Sequence, residues 1–225
     1  MESKGVVSES NPLIQKDFPA IRGWTVLIFL PVFIALLVPT VWLARDYGTL
    51  AVITAFFAAG LLAVLAVVAP MGWAALPALG FRPVGWRPVV LGVLVTEVLS
   101  VAVSHLGIEP EGMKEVGKIA REPGFVGSLL TIAVLAPLVE ELIFRGLLYG
   151  WLAGRWGTIV AWIVSSLAFA AAHFEPAHII LVLPLGLWFG WLRQRTDSLW
   201  PSLVAHIVNN GLAVVAAAFL SESTP

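Results

Sequence analysis

The chain has no cysteine among its 225 residues. Disulfides, thiolate nucleophiles and cysteine-held metals are excluded together, which leaves carboxylate, imidazole, hydroxyl or a nitrogen- and oxygen-held metal for any hydrolytic chemistry. Charge is also scarce: charged residues make up 12% of the chain, against roughly a quarter in soluble domains. With a net charge of −1 there is no basic excess to engage nucleic acid. The only aspartates, Asp17, Asp46 and Asp197, fall outside the apolar runs, and Ser165 and Ser166 have no persuasive histidine partner. Neither HExxH nor GxSxG occurs, which removes the zincin helix and the serine-hydrolase elbow. The first 20 residues lack the apolar core and small-residue cleavage site of a secretory signal.

What fills the chain instead is hydrocarbon. Hydrophobic residues make up 59% of it and mean hydropathy is +0.94, the composition of an integral membrane protein. A spanning helix needs about 20 largely apolar residues. Runs that meet or approach this lie at 24–44, 49–69, 88–108, 125–151, 158–173, 179–192 and 199–220, the sixth being short enough to tilt or re-enter. The fold class expected is therefore all-α, a polytopic membrane bundle of about seven helices, within a range of 6–8. It forms a single domain over 24–220, with a cytoplasmic tail at 1–23 and a C-terminal tail at 221–225. The Pro-, Gly- and Trp-rich stretch after residue 69 reads as an interfacial loop or a half-helix. Residues 109–124 read as a short surface helix bounded by Pro110 and Pro123, either a solvated linker or a gate.

With seven spans and a cytoplasmic N-terminus, the inner segments carry Lys4, Lys16, Arg22, Arg82, Arg87, Arg155, Arg193 and Arg195. The outer ones carry only Arg45, Lys114, Lys118 and Arg121. The positive-inside bias favours that orientation.

Ionisable side chains at membrane depth are costly unless they pair or line a wet cavity, so their presence on three spans argues for one shared polar site. Glu140, Glu141 and Arg145 lie in the fourth span, Phe169 and His173 in the fifth, and His206 and Asn210 in the last. Helical steps of about 100° put Glu140 and Glu141 on adjacent faces. Glu141 and Arg145, four apart, are spaced as an ion pair, which leaves Glu140 as the freer carboxylate. Pro137 removes a backbone donor and can bend the helix just before it. His206 and Asn210 share one stripe, and the amide of Asn210 can hold an oxyanion. Asn209 lies about 100° off that stripe. Carboxylate, two imidazoles and an amide form a water-activating set.

Ordered in this way, EExxxR (Glu140, Glu141, Arg145), FxxxH (Phe169, His173) and HxxxN (His206, Asn210) resemble the CPBP family of intramembrane proteases, the CAAX prenyl protease and bacteriocin-processing or Abi group. The resemblance covers about residues 125–215, the expected catalytic core. It implies an endopeptidase acting on a membrane-associated, in some members prenylated, protein or peptide, and the small size and lack of cysteine are compatible with an enzyme of a prokaryotic plasma membrane. Under that reading Glu140 and His173 activate water, His206 and Asn210 stabilise the oxyanion, and Glu141, Arg145 and Phe169 support them. Glu140, His173 and His206 are equally a set for zinc or another divalent metal, although Asn210 fits a metal-free oxyanion role better. A non-catalytic immunity or scaffold protein and a small transporter stay open as alternatives, the second disfavoured because no internal repeat links the two halves. Oligomeric state and substrate are not legible in the chain.

Overall fold

The computed structural model describes residues 20–108, 110–121 and 124–219, so most of the N-terminal tail and all of the C-terminal tail lie outside the described residues. Every regular element among them is helical. In chain order these are α1 (Gly23–Ala44), α2 (Thr49–Val68), α3 (Ala75–Leu79), α4 (Trp86–Ser104), α5 (Glu111–Arg121), α6 (Phe125–Trp156), α7 (Thr158–Ala171), α8 (Pro176–Thr196) and α9 (Trp200–Phe219). Among the described residues six stretches are long and apolar enough to cross a membrane: Gly23–Tyr47, Thr49–Leu79, Trp86–Ser104, Phe125–Trp156, Pro176–Thr196 and Trp200–Phe219. The protein is an all-α polytopic membrane bundle.

Two expected boundaries move. The sixth run, expected to be short, is a full helix of 21 residues beginning at Pro176, because a proline at the first turn loses no intrahelical bond. The fifth contributes a helix of only 14 residues, α7, about 21 Å long against a hydrocarbon core of about 30 Å. It nevertheless joins the two ends of the bundle. At one end the Glu111 N–H donates to Glu175 Oε1 at 2.9 Å and Phe125 meets Phe219 edge to face. At the other, Arg82 pairs with Asp197, the Leu199 N–H donates to the Gly80 carbonyl at 2.7 Å, and Gln194 reaches Thr158. Successive connections thus alternate between the ends.

The Pro/Gly/Trp stretch contains a half-helix as well as a loop: a 3-10 segment at Ala69–Ala74, kinked at Gly72 (φ 55°), leads into α3. Leu79 and the entering Ile21 pack where Gly146 and Gly150 leave α6 without side chains, in a core with Val64, Val67, Leu142, Leu147 and Leu199. Exposed Leu27, Leu30, Ile34, Val38 and Trp42 on α1 present the hydrocarbon face that a bilayer covers. The surface helix expected between Pro110 and Pro123 is α5. It buries Gly117, Ile119 and Ala120 and turns Glu111, Lys114 and Lys118 outward.

Candidate active site

α6 does not keep one helical register. Two π-helical segments, Leu129–Leu135 and Leu142–Leu148, flank the α-helical turns Ala136–Glu141 that carry both glutamates. Each π turn inserts a residue and rotates the side chains beyond it about the helix axis, a feature concentrated at functional sites.

The His206 imidazole stands between the two carboxylates. Glu140 Oε2 lies 3.5 Å from its Nε2, and Glu141 Oε1 lies 3.4 Å from its Nδ1. Adjacent faces of α6 therefore address opposite sides of one ring, and Glu141, expected as a support, approaches His206 as closely as Glu140 does. Phe189 stacks on that imidazole at 4.9 Å and Phe169 meets it edge-on at 5.8 Å, which fixes the plane of the ring.

Glu141 and Arg145 form the expected pair. Both are fully buried, joined by an Nη1 to Oε1 hydrogen bond of 2.8 Å. Arg145 Nη2 donates to the Gly186 carbonyl at 2.9 Å, and the guanidinium lies over Phe169 at 4.3 Å. Gly186 permits this because it has no side chain: an added Cβ would sit 2.9 Å from Phe169. Glu140, with its side chain 20% exposed, is the carboxylate left open.

His173 sits just beyond the end of α7, next to Phe174 at φ 58°. Its Nδ1 lies 3.0 Å from the Phe169 carbonyl. A carbonyl only accepts, so Nδ1 carries a proton, and in the neutral imidazole Nε2 is then the lone-pair nitrogen. Phe169, one turn earlier, packs against both imidazoles, at 5.0 Å from His173 and 5.8 Å from His206.

Asn210 projects one turn beyond His206, its Nδ2 donating to the Ile132 carbonyl at 3.1 Å. The structure brings Glu140, His173, His206, Asn210 and Phe169 to a single cavity of about 820 Å³, with the Glu141–Arg145 pair packed behind it. α5 contributes Lys114, Gly117 and Lys118 to its wall, with Pro110 just before it, and Ile53, Phe57, Leu181, Val182 and Leu185 make much of the remainder apolar. Lys114 donates to Glu111 at 2.7 Å, which holds that exposed carboxyl below its usual range.

Two cavity residues carry no motif signal. His178, at the start of α8, packs edge-on against His173 at 4.5 Å. Sequence reading passes over it because it is reached by folding back across the turn at Phe174. Asn209, expected to point elsewhere, lines the cavity and donates to Asn210 Oδ1 at 3.4 Å. Arg193 is a buried polar group that lies deeper: its Nε donates to the Arg145 carbonyl at 3.2 Å and its Nη1 to Asp197 at 2.8 Å.

The zinc alternative meets a geometric obstacle. Among the described residues no three of His, Asp or Glu are gathered closely enough to hold a metal ion. Glu140, His173 and His206 are not gathered as such a group in this arrangement.

Comparison with known proteins falls on this same stretch. Residues 122–212 match a family model described as "Type II CAAX prenyl endopeptidase Rce1-like". The chain is similar to the "Putative membrane peptidase YdiL" of Bacillus subtilis (strain 168), 29% identical over 87 residues, covering 39% of this chain and 36% of that protein. It is also similar to the "Membrane-embedded CAAX protease MroQ" of Staphylococcus aureus (strain USA300), 28% identical over 143 residues, covering 61% and 55%. A third relative is the "UPF0177 protein in abiGi 5'region" of Lactococcus lactis subsp. cremoris, 32% identical over 96 residues, covering 42% and 40%. The chain thus spans between about a third and about half of the length of these relatives. No solved structure matches it.

Proposed function

We propose that this chain, whose residues 122–212 match the model of Rce1-like CAAX prenyl endopeptidases, is a CPBP-type intramembrane endopeptidase that hydrolyses a peptide bond of a membrane-associated protein or peptide. The observation that carries this reading is the convergence of Glu140, His173, His206 and Asn210, from three helices, on one largely apolar cavity.

In the reaction, the Glu140 carboxylate takes a proton from water while the lone pair on His173 Nε2 orients it. The oxygen attacks the scissile carbonyl, and His206 with the Asn210 amide donates to the oxyanion that develops. Collapse of the tetrahedral intermediate passes the proton from Glu140 to the leaving amine. General-base assistance is worth about 10² to 10⁴ in rate and one oxyanion donor about 10² to 10³. The Glu141–Arg145 pair holds α6 against α8 and keeps a fixed charge pattern behind His206. The apolar lining suits a substrate segment that arrives from the bilayer, such as a prenylated chain end.

The test is a cleavage assay on purified, folded protein with lipidated and unlipidated peptides. Glu140→Gln is expected to lower turnover by about 10² to 10⁴ with unchanged thermal unfolding, and near-native turnover by that variant would sink the assignment. A biological effect that persists in Glu140→Gln would point instead to a scaffold or immunity role. A metal-free mechanism further predicts that prolonged chelation leaves turnover intact, and loss of activity restored by added zinc would overturn it. We place the protein in a prokaryotic plasma membrane, on its likeness to bacterial proteins, with its N-terminus in the cytoplasm, on the charge bias of its connecting segments.

A further inference from the structure

Proline at position 137 has a consequence five residues upstream, at the Ile132 carbonyl, that bears on Asn210. In the π-helical segment Leu129–Leu135 the backbone steps five residues: the Ala136 N–H donates to the Thr131 carbonyl, not to that of Ile132. The next N–H in that register would belong to residue 137 and would reach Ile132. Residue 137 is proline and has none. The Ile132 carbonyl is therefore passed over by Ala136 and cannot be served by Pro137. A carbonyl left without a donor inside a membrane bundle is costly. The group that meets it is the Asn210 side chain, Nδ2 to carbonyl oxygen at 3.1 Å.

We propose that Pro137 is a positioning residue: by freeing the Ile132 carbonyl, it creates the acceptor that fixes the orientation of the Asn210 amide in the cavity. The carbonyl only accepts, so it faces Nδ2 and not Oδ1, which settles which way round the amide lies. Asn209 Nδ2 completes the arrangement by donating to Asn210 Oδ1 at 3.4 Å. One of the two Nδ2 hydrogens is thereby spent on Ile132. The other is held in a fixed direction, at a residue that lines the cavity. An asparagine on a helix has free rotation about its terminal torsion and two near-equivalent flips; the orphaned carbonyl removes that freedom before substrate arrives, the condition for an effective oxyanion donor. The catalytic consequence rests on the protease reading, while the hydrogen-bond relay stands independently of it.

The test is Pro137→Ala, which restores an N–H where alanine is a favourable helix residue. The full chain, labelled with ¹⁵N-asparagine, contains Asn11, Asn209 and Asn210. The side-chain amide pair of Asn210 is assigned by its disappearance in Asn210→Ala. In the wild type its two protons are expected at well-separated shifts, and in Pro137→Ala they should converge as the new N–H takes the carbonyl. In the cleavage assay Pro137→Ala should lower kcat about tenfold with KM little changed, short of the about 10² to 10³ lost with an oxyanion donor. In an Asn210→Ala background the same change should cost less than about twofold, because the group it acts through is gone. A proline that merely shaped the helix would lower kcat equally in both backgrounds, and that result overturns the proposal. So does an Asn210 amide pair unmoved by Pro137→Ala. Should the wild-type protein cleave no peptide while the amide pair shifts as expected, the protease reading fails and the relay stands.

Discussion

Arg145 and Glu141 have no exposed surface, so each depends on the other for its charge to be tolerable inside the bundle. Removing one member of such a pair strands the other and costs about 3–5 kcal/mol. Arg145→Ala is therefore expected to yield little folded protein, with a large fall in the thermal midpoint in detergent. Arg145→Lys should recover part of the loss, because a lysine can approach Glu141 but lacks the planar fork that also reaches the Gly186 carbonyl. A midpoint for Arg145→Ala within a degree or two of wild type would contradict this. Glu140 differs: partly exposed and 3.5 Å from His206, it can become an amide without stranding a buried cation. At this scale the motif residues were readable from the chain, because acids, imidazoles and an amide inside apolar runs need a shared reason to be there. The convergence of both glutamates on His206 was not, since a strict 100° step separates them. Nor was His178, whose approach to His173 is made by a turn and not by spacing.

Between elements, the seam of α7 with α8 depends on glycine. A Cβ on Gly190 would lie 2.5 Å from Ser166 Oγ and 2.7 Å from Trp162, and one on Gly186 would lie 2.9 Å from Phe169. Phe169 is 2% exposed and wedged among Arg145, His173 and His206, so it has nowhere to move. Overpacking of this kind costs about 1–3 kcal/mol. Gly186→Ala is expected to lower both the thermal midpoint and peptide turnover, because displaced Phe169 carries both imidazoles with it. Gly190→Ala, against Ser166 and Trp162, should lower the midpoint with a smaller effect on turnover. Equal turnover losses in the two variants would show that Phe169 is not the lever. Which helix each glycine admits is set by packing and was not legible in the chain. The two π turns of α6 were invisible for a related reason: a one-residue shift of backbone register leaves no compositional trace.

Taken whole, the bundle has two distinguishable ends. Glu111 with Glu175 and Phe125 with Phe219 mark the end under α5, and Arg82 with Asp197 marks the other. The cavity occupies the α5 half, since its wall includes Ile53, Ser104 and Ala217, which lie close to the ends of their helices, and Ile108 in the connection to α5, and it extends inward to Glu140 and Phe189. The absence of native cysteine makes orientation directly measurable. Tyr47, 81% exposed at the α5 end, and Trp73, 90% exposed at the opposite end, are suitable single-cysteine positions. With a cytoplasmic N-terminus, Tyr47→Cys should react with an impermeant maleimide in intact cells and Trp73→Cys only after permeabilisation. The reverse pattern would invert the bundle and place the cavity half on the cytoplasmic side.

Composition and hydropathy were sufficient to determine an all-helical membrane protein and, through a handful of ionisable residues in apolar runs, the parts of one candidate site. Those conclusions hold because a low-dielectric solvent penalises every unpaired polar group, so each that remains in the chain is informative by itself. Only the folded arrangement decided how the parts meet: His206 between two carboxylates, Phe169 between two imidazoles, and Asn210 on a carbonyl left over by a π turn and a proline. Such contacts depend on helix register and close approach, which are set by packing across the whole bundle and not by any local stretch of sequence.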